Sequence, residues 1–501
     1  VRSGRIACLS ALALVALPST AHASPLLQQA GPLGDNAGFQ GVVSGPGAAS
    51  TYFNPALLTD AEDELILGFA VISEQVGITL DGRNGGDVPL SVGNRNIVVG
   101  PNPIPNNVVP TQWLNQGCPS GTAAGQCPPP GYSAVPRQSQ GSSGKTRTYL
   151  AFGIVKTLVK DRFTFGLYAM VPLTNLTTAQ SFYVDEREAL FSNSLHPELY
   201  GDRLTAISIV PGAAFKILPN LSVGAGFSIS LANVAQSATY IRDSTDYSSL
   251  LLNNNVTTKV NVAPTLGVSY APVPWLKFGG TVHTPEKFSL AASIEATLPS
   301  GTQSSTTRNN VFDWMPWSVG LGAQADVLHR GTYTLSVVGS VDYAFWSAYE
   351  DRQGDNPNIY GSDLAWRDTL SGALGVRQTF KDVRTFVDVR YVPSPVPQQV
   401  GRSNFVDNDS IGAALGADIK LKLGSTVIRP GIQLFANRLI YRNNTKDNSR
   451  ITDELPDNAT FAGTNNSVPG AQGLQTNNPG WPGYSSAGWI TGGAVTLSCP
   501  L

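Results

Sequence analysis

The chain is 501 residues long and carries 33 Lys and Arg against 35 Asp and Glu, a formal net charge of −2. That balance offers no basic patch of the kind nucleic-acid binding needs. Charged residues make up only 14% of the chain, against about 25% in ordinary soluble proteins. Yet no segment supplies the ~18 consecutive apolar residues of a membrane helix, the N-terminal run from Ile6 to Leu17 being too short, which leaves a chain that crosses a membrane by strands or a secreted soluble β-protein.

Arg2 and Arg5 precede an apolar run from Ile6 to Leu17, and Pro18 leads to Ala21-His22-Ala23. This is the layout of a secretory signal peptide, so residues 1–23 are expected to be a leader, cut after Ala23 and taking Cys8 with it. Residues 24–63 form the next unit. Within it, Gly38 to Asp60 is rich in small residues, and Gly45, Gly47 and Ala48 let backbone approach its surroundings closely. Asn54-Pro55-Ala56 reads as the cap and first turn of a short helix. Taken alone, the stretch is also what an ordinary loop-to-helix junction looks like.

From Glu64 onward the pattern changes to period 2. Leu221, Val223, Phe227 and Ile229 alternate with Ser222, Gly224, Gly226 and Ser228, and Ile411, Leu415 and Ile419 alternate with Gly412, Gly416 and Asp418. Such alternation means strands with one apolar and one polar face. Strands are expected near 64–80, 148–158, 162–171, 203–217, 221–240, 257–270, 275–298, 316–328, 332–347, 366–380, 384–392, 410–423, 426–436 and 485–497. Short links such as Leu218-Pro219-Asn220 and Gly424-Ser425 alternate with long polar ones, the longest from Asp81 to Arg147 and another from Asn437 to Tyr484. Short periplasmic turns and long external loops are the mark of a transmembrane barrel; a sandwich has no reason to keep that rhythm. The expectation is an all-β chain, a transmembrane antiparallel β-barrel of about fourteen strands spanning residues 64–501. Strand parity puts Arg377, Arg384, Asp388, Arg390, Asp418, Lys420 and Arg429 on the lumen side, since Arg or Lys facing lipid costs ~2–4 kcal/mol at the midplane.

The chemistry of catalysis is thin. Past the leader the only histidines are His196, His283 and His329; none of them pairs at metal-ligand spacing, and no nucleotide-binding loop stands out. No catalytic residue, metal or cofactor is expected. Cys118 and Cys127, in the first long external loop, can close a short disulfide after export or remain two thiols.

Four pieces of sequence share a likeness. Asn54-Pro55-Ala56 follows its small-residue run close behind the leader; Tyr343-Ala344-Phe345-Trp346-Ser347 ends one strand; Trp366-Arg367-Asp368 leads into the next; and Ser394-Pro395-Val396-Pro397 precedes Asp407 and Asp409. In this order they resemble the FadL/TodX family of outer-membrane channels for long-chain fatty acids and other hydrophobic molecules. The resemblance implies that residues 24–63 are a hatch inside the lumen, marked by Gly45, Gly47, Asn54, Pro55 and Ala56. It also implies a monomer in the outer membrane, in contact with its lipid and lipopolysaccharide, through which cargo diffuses passively and leaves sideways. A lumen site for such cargo needs aromatic surface and a cation for a carboxylate; Trp346, Phe386, Arg390 and Arg429 are the candidates from strand parity. The alternative is a surface interaction protein whose long loops bind a partner. The chain departs from the family in ending Ser498-Cys499-Pro500-Leu501 rather than on an aromatic residue.

Overall fold

The computed structural model describes residues 25–81, 145–173, 208–243, 246–297, 303–350, 365–424, 426–451 and 480–501, with short pieces between them. The expected leader, and Cys118 and Cys127, lie outside the described residues.

Strands β1 (Glu64–Leu80), β2 (Lys145–Val159), β3 (Phe163–Pro172), β4 (Ser208–Leu218), β5 (Leu221–Asp243), β6 (Asp246–Val273) and β7 (Leu276–His283) make one half of a ring. The other half is β8 (Ser318–Arg330), β9 (Tyr333–Ala344), β10 (Thr369–Phe380), β11 (Val383–Val392), β12 (Ser410–Ile419), β13 (Thr426–Thr445) and β14 (Gly483–Pro500). Each pairs antiparallel with its sequence neighbour, and β14 closes on β1 with Glu64 opposite Pro500. The result is a closed 14-stranded antiparallel barrel, the expected architecture. Its tight turns need left-handed backbone. Gly331 and Gly424 supply it with φ of 59° and 62°, which glycine adopts without strain.

One strand is not as the sequence suggests. Residues 275–298 read as a single element, but β7 stops at His283, and Glu286–Thr297 forms a hairpin with Gln303–Met315 and pairs in parallel with β5 from Leu290↔Asn233 to Thr297↔Tyr240. Pro285 cannot donate to a ladder, and Thr284 turns both its N–H and its hydroxyl to Pro264 O, at 3.1 and 3.0 Å.

The faces fall as alternation requires. Leu321, Leu374, Val389 and Leu415 are exposed on the outside, whereas Ser222, Ser228, Thr265 and Asp388 are buried on the inside. In water such an outer surface would be a liability; against acyl chains it is the expected belt.

Residues 25–60 pack against the inward face of this ring. They comprise α1 (Pro25–Ala30), α2 (Ser50–Phe53) and a 3₁₀ turn over Pro55–Asp60. Inward glycines allow the contact: a Cβ on Gly166, Gly212, Gly224, Gly226 or Gly267 would run into Leu58, Thr51, Pro55 or Asn54. On the next two strands round, Gly279 of β7 and Gly322 of β8 make the same room for Val42 and Val43. Asn54 caps the 3₁₀ turn by accepting from Ala56 N–H at 3.1 Å, and its amide donates to Val42 O at 2.6 Å and to Val268 O of β6 at 3.1 Å. One side chain thus ends α2, starts the next turn and ties both to the wall.

Candidate functional site

Two layers occupy the lumen beside residues 25–60. The first is polar and sits on β10, β11 and β13. Arg377 pairs with Asp388 through both guanidinium nitrogens, at 2.6 and 3.0 Å, and also donates to Ala37 O and to Ser44 Oγ. Asp388 in turn accepts from Phe39 N–H at 2.6 Å. Arg390 donates to Gln28 O and Gln29 O at 2.6 and 2.8 Å and to Asn437 Oδ1 at 2.9 Å, and lies 3.8 Å over the Phe39 ring. These cations compensate backbone carbonyls left without helix or sheet partners, which would otherwise cost about 1–3 kcal/mol each.

The second layer is aromatic and lies past the ends of β8, β9, β10 and β12, on the side of the long links. Trp314, Trp346, Tyr349, Trp366 and Phe405 are buried together with Val396. Tyr349 stacks on Trp366 at 3.6 Å, and Trp346 lies 5.7 Å from Trp366 and 5.9 Å from Trp314.

Between the two is a cavity of about 30 Å³, lined among others by Gln28, Tyr52, His283, Glu286, Asp342 and Trp346. His283 Nδ1 meets Thr265 Oγ1 at 3.1 Å, and its ring is 4.9 Å from that of Tyr52. The hollow has room for a water or two. A dry cavity that takes a benzene ring measures about 150 Å³, so this one is too small for such a ring unless α1 or an aromatic side chain gives way.

The four residues expected to bind cargo are not brought together. Trp346 lines the cavity, but from a 3₁₀ turn just beyond β9 rather than from the strand. Phe386 lies under Arg377, 5.2 Å from its guanidinium, and fills the space that Gly38 and Gly416 leave. Arg390 is engaged as described, and Arg429 stands near Asp418 and Glu62, both at 3.6 Å. Gly45 takes φ 67°, close against Ala37, and a Cβ on Gly47 would overlap the Asp35 carboxylate. Sequence reasoning missed the Arg377–Asp388 pair as a unit and the Trp314, Tyr349 and Trp366 partners of Trp346. The signal for the latter was the recurrence of a Trp or Tyr a few residues beyond the outer ends of successive strands.

The segment after β11 is held by buried charges. Asp407 accepts from the Ser394 hydroxyl, Arg442 donates to Val396 O at 2.7 Å, and Lys446 donates to Gly401 O and Ser403 O at 2.9 and 2.6 Å. Burial pushes Asp407 up to about 7 and Lys446 down to about 7. A raised carboxyl contributes stability at low pH that is lost as pH rises to its folded value, while a depressed amine contributes stability at high pH that is lost as pH falls to its own. Both contributions are therefore at their smallest near neutrality. Hydrogen exchange over residues 398–408 is expected to show least protection near pH 7 and more at pH 5 and pH 9; a monotonic trend contradicts this.

A family profile described as outer membrane protein transport protein (OMPP1/FadL/TodX) matches residues 30–461. The chain belongs to this family. Among solved structures, a Pseudomonas aeruginosa FadL homologue is 15% identical, with 96% of this chain and 98% of that one covered and a TM-score of 0.49. The P. putida toluene transporter TodX is 10% identical over 94% and 99%, with a TM-score of 0.46. The Ralstonia pickettii toluene transporter TbuX is 11% identical over 97% and 100%, with a TM-score of 0.41. No curated protein matches the chain. The FadL/TodX family consists of outer-membrane channels for hydrophobic compounds, passive rather than enzymatic.

Proposed function

We propose that this FadL/TodX-family barrel passes hydrophobic molecules across the outer membrane by diffusion, with residues 24–63 as a hatch that keeps the lumen closed to water. The observation that carries the reading is the packing of residues 25–60 onto an inner wall made of glycine, beside a weak rung of that wall. On β4, Ile209 pairs with Ile229 and Gly212 with Gly226, with no paired rung between them. The residues there are Val210 and Pro211, and proline has no N–H to give. In the same register Phe227 of β5 faces Pro264 of β6. Pro211, Phe227 and Pro264 thus share one level, about 20 Å along β5 from its periplasmic turn, at the depth of acyl chains. Thr51 of α2 lies directly behind it, against Gly212 and Gly226.

An apolar cargo leaving into water would re-expose its surface at ~0.8 kcal/mol per CH₂, whereas leaving sideways between β4 and β5 keeps it in hydrocarbon. Long-chain fatty acids are the cargo suggested by the resemblance, and aromatic hydrocarbons are the other class within reach of an aromatic-lined route. Export by a leader over residues 1–23 and a monomeric state belong to the same proposal. A disulfide between Val210→Cys and Ser228→Cys, one rung from Pro211, is expected to block uptake of labelled oleate or toluene in a transport-deficient host and to release it on reduction. Uptake that ignores the staple removes this route.

A further inference from the structure

The outer wall is not an even cylinder. Between β7 and β12 it carries an open apolar groove of about 770 Å³, within the range of about 300–1,000 Å³ typical of ligand clefts. Gly339 and Gly372 form its floor, and the exposed side chains of Phe278, Leu321, Leu374 and Ile411 stand along its sides. One rung of the ladder follows it, from Gly280 of β7 through Leu321, Gly372 and Ile411 to Arg438 of β13. Barrel strands are tilted, so the rung climbs: from the periplasmic end, Gly280 is the fifth residue of β7 and Arg438 the thirteenth of β13. At this upper end the surroundings change. Arg438 is exposed on the same face as Ile432 and Leu434, while its neighbours Asn437 and Leu439 are buried. Its guanidinium lies 5.0 Å over the ring of the exposed Trp489, which faces the exposed Gln75 of β1. An outward Trp beside polar residues marks the membrane interface, where an outward cation costs little. Among the described residues no carboxylate pairs with Arg438. The nearby Asp409 spends its two oxygens on the Tyr391 hydroxyl and the Ser394 N–H, both at 2.8 Å.

We propose that this groove seats one molecule of the phosphorylated lipid of the outer leaflet, lipid A, with an acyl chain along the glycine floor and a phosphate on Arg438 beside Trp489. The two parts contribute differently. Bulk lipid tails are as apolar as the groove, so a chain lying in it gains close packing and no hydrophobic driving force. The floor is open to such a chain: a Cβ on Gly372 would meet only Ser340 O, at 3.7 Å. Selection falls to the charge. A guanidinium presents its donors in a planar fork that matches phosphate and stacks on an aromatic face without giving those donors up. The cation stands at the external end of the rung, in the leaflet that lipopolysaccharide occupies, which favours lipid A over a glycerophospholipid. The seat lies on the lipid-facing side of the wall and is separate from whatever passes through the lumen.

The test titrates the full-length barrel in detergent with three lipids, read by native mass spectrometry: lipid A with both phosphates, the same lipid without them, and phosphatidylglycerol. The phosphorylated lipid A is expected to bind at least about tenfold more tightly than its dephosphorylated form, the difference a charge-assisted contact makes. Arg438→Gln is expected to remove that preference and leave the dephosphorylated lipid as before. Gly372→Leu, which fills the floor, is expected to weaken both forms of lipid A by the same factor. Equal binding of the two forms by the parent barrel, a preference that survives Arg438→Gln, or phosphatidylglycerol bound as tightly as lipid A overturns the proposal. So does a dimer in the mass spectrum that Gly372→Leu disperses, since it gives the groove to a second copy of the chain. Heat-dependent gel mobility checks that each variant is folded, and Arg438→Gln, at an exposed position, carries the test alone if Gly372→Leu does not assemble. Uptake of labelled toluene is expected to be the same in parent and variants, so the channel reading stands or falls by its own measurement.

Discussion

Deleting residues 38–59 is expected to turn a closed barrel into one that shows clearly resolved single-channel steps in planar bilayers and admits small polar solutes, with no gain in hydrophobic uptake. Strand number sets the expectation. Eight-stranded barrels fill their interior with wall side chains, whereas those of 16 to 18 strands enclose an aqueous channel. A 14-stranded ring falls near the open end of that range, and here its inner wall is unusually bare: Gly166, Gly212, Gly224, Gly226 and Gly267 carry no side chain where α2 and the 3₁₀ turn lie. Removing the segment leaves these glycines facing water, with no side chain of their own to fill the gap. A deletion with unchanged conductance and intact uptake would make this segment a tether rather than a hatch.

The second large effect is expected at Arg377. Replacing it with Met removes the direct ion-pair partner of buried Asp388, leaving the Phe39 N–H and the neighbouring charge of Arg390, and withdraws donors from Ala37 O and Ser44. Breaking one side of a buried ion pair typically costs 3–5 kcal/mol, more than the pair itself contributes. The cost falls on the docking of residues 25–45, because the other partners of this cluster belong to the barrel ladder, which stays intact. Proteolytic nicking or hydrogen exchange of that stretch should rise sharply, with flickering conductance. Arg377→Met combined with Asp388→Leu should recover most of the loss, since no charge is then left unpaired. Equal loosening in the single and double variants would contradict the argument.

The barrel was legible because its signal is local. Residue alternation, turn chemistry and the rhythm of link lengths each depend on neighbours a few positions away, and all of them point to the same antiparallel ring. What could not be read is what stands opposite an inward residue. Gly416 is inward as parity required, but the space over it belongs to Phe386, and a Cβ there would strike that ring. Arg390 is inward too, yet its charge is committed to the carbonyls of Gln28 and Gln29, more than 350 positions away in sequence. Parity identifies a face; it says nothing of which distant segment lies against it. The 284–285 break shows the converse limit. Pro285 was visible, but whether a strand bends or ends at a proline depends on the partner that captures the freed groups, here Pro264 O.

The most direct measurement is uptake by purified barrel reconstituted in outer-membrane-like vesicles, with labelled toluene, oleate and a small sugar offered side by side. Rapid, saturable-free accumulation of at least one hydrophobic probe with exclusion of the sugar, lost when Val210→Cys and Ser228→Cys are oxidised to a staple, is the predicted result. Vesicles that pass the sugar, or that take up neither hydrophobic probe faster than protein-free ones, would contradict it.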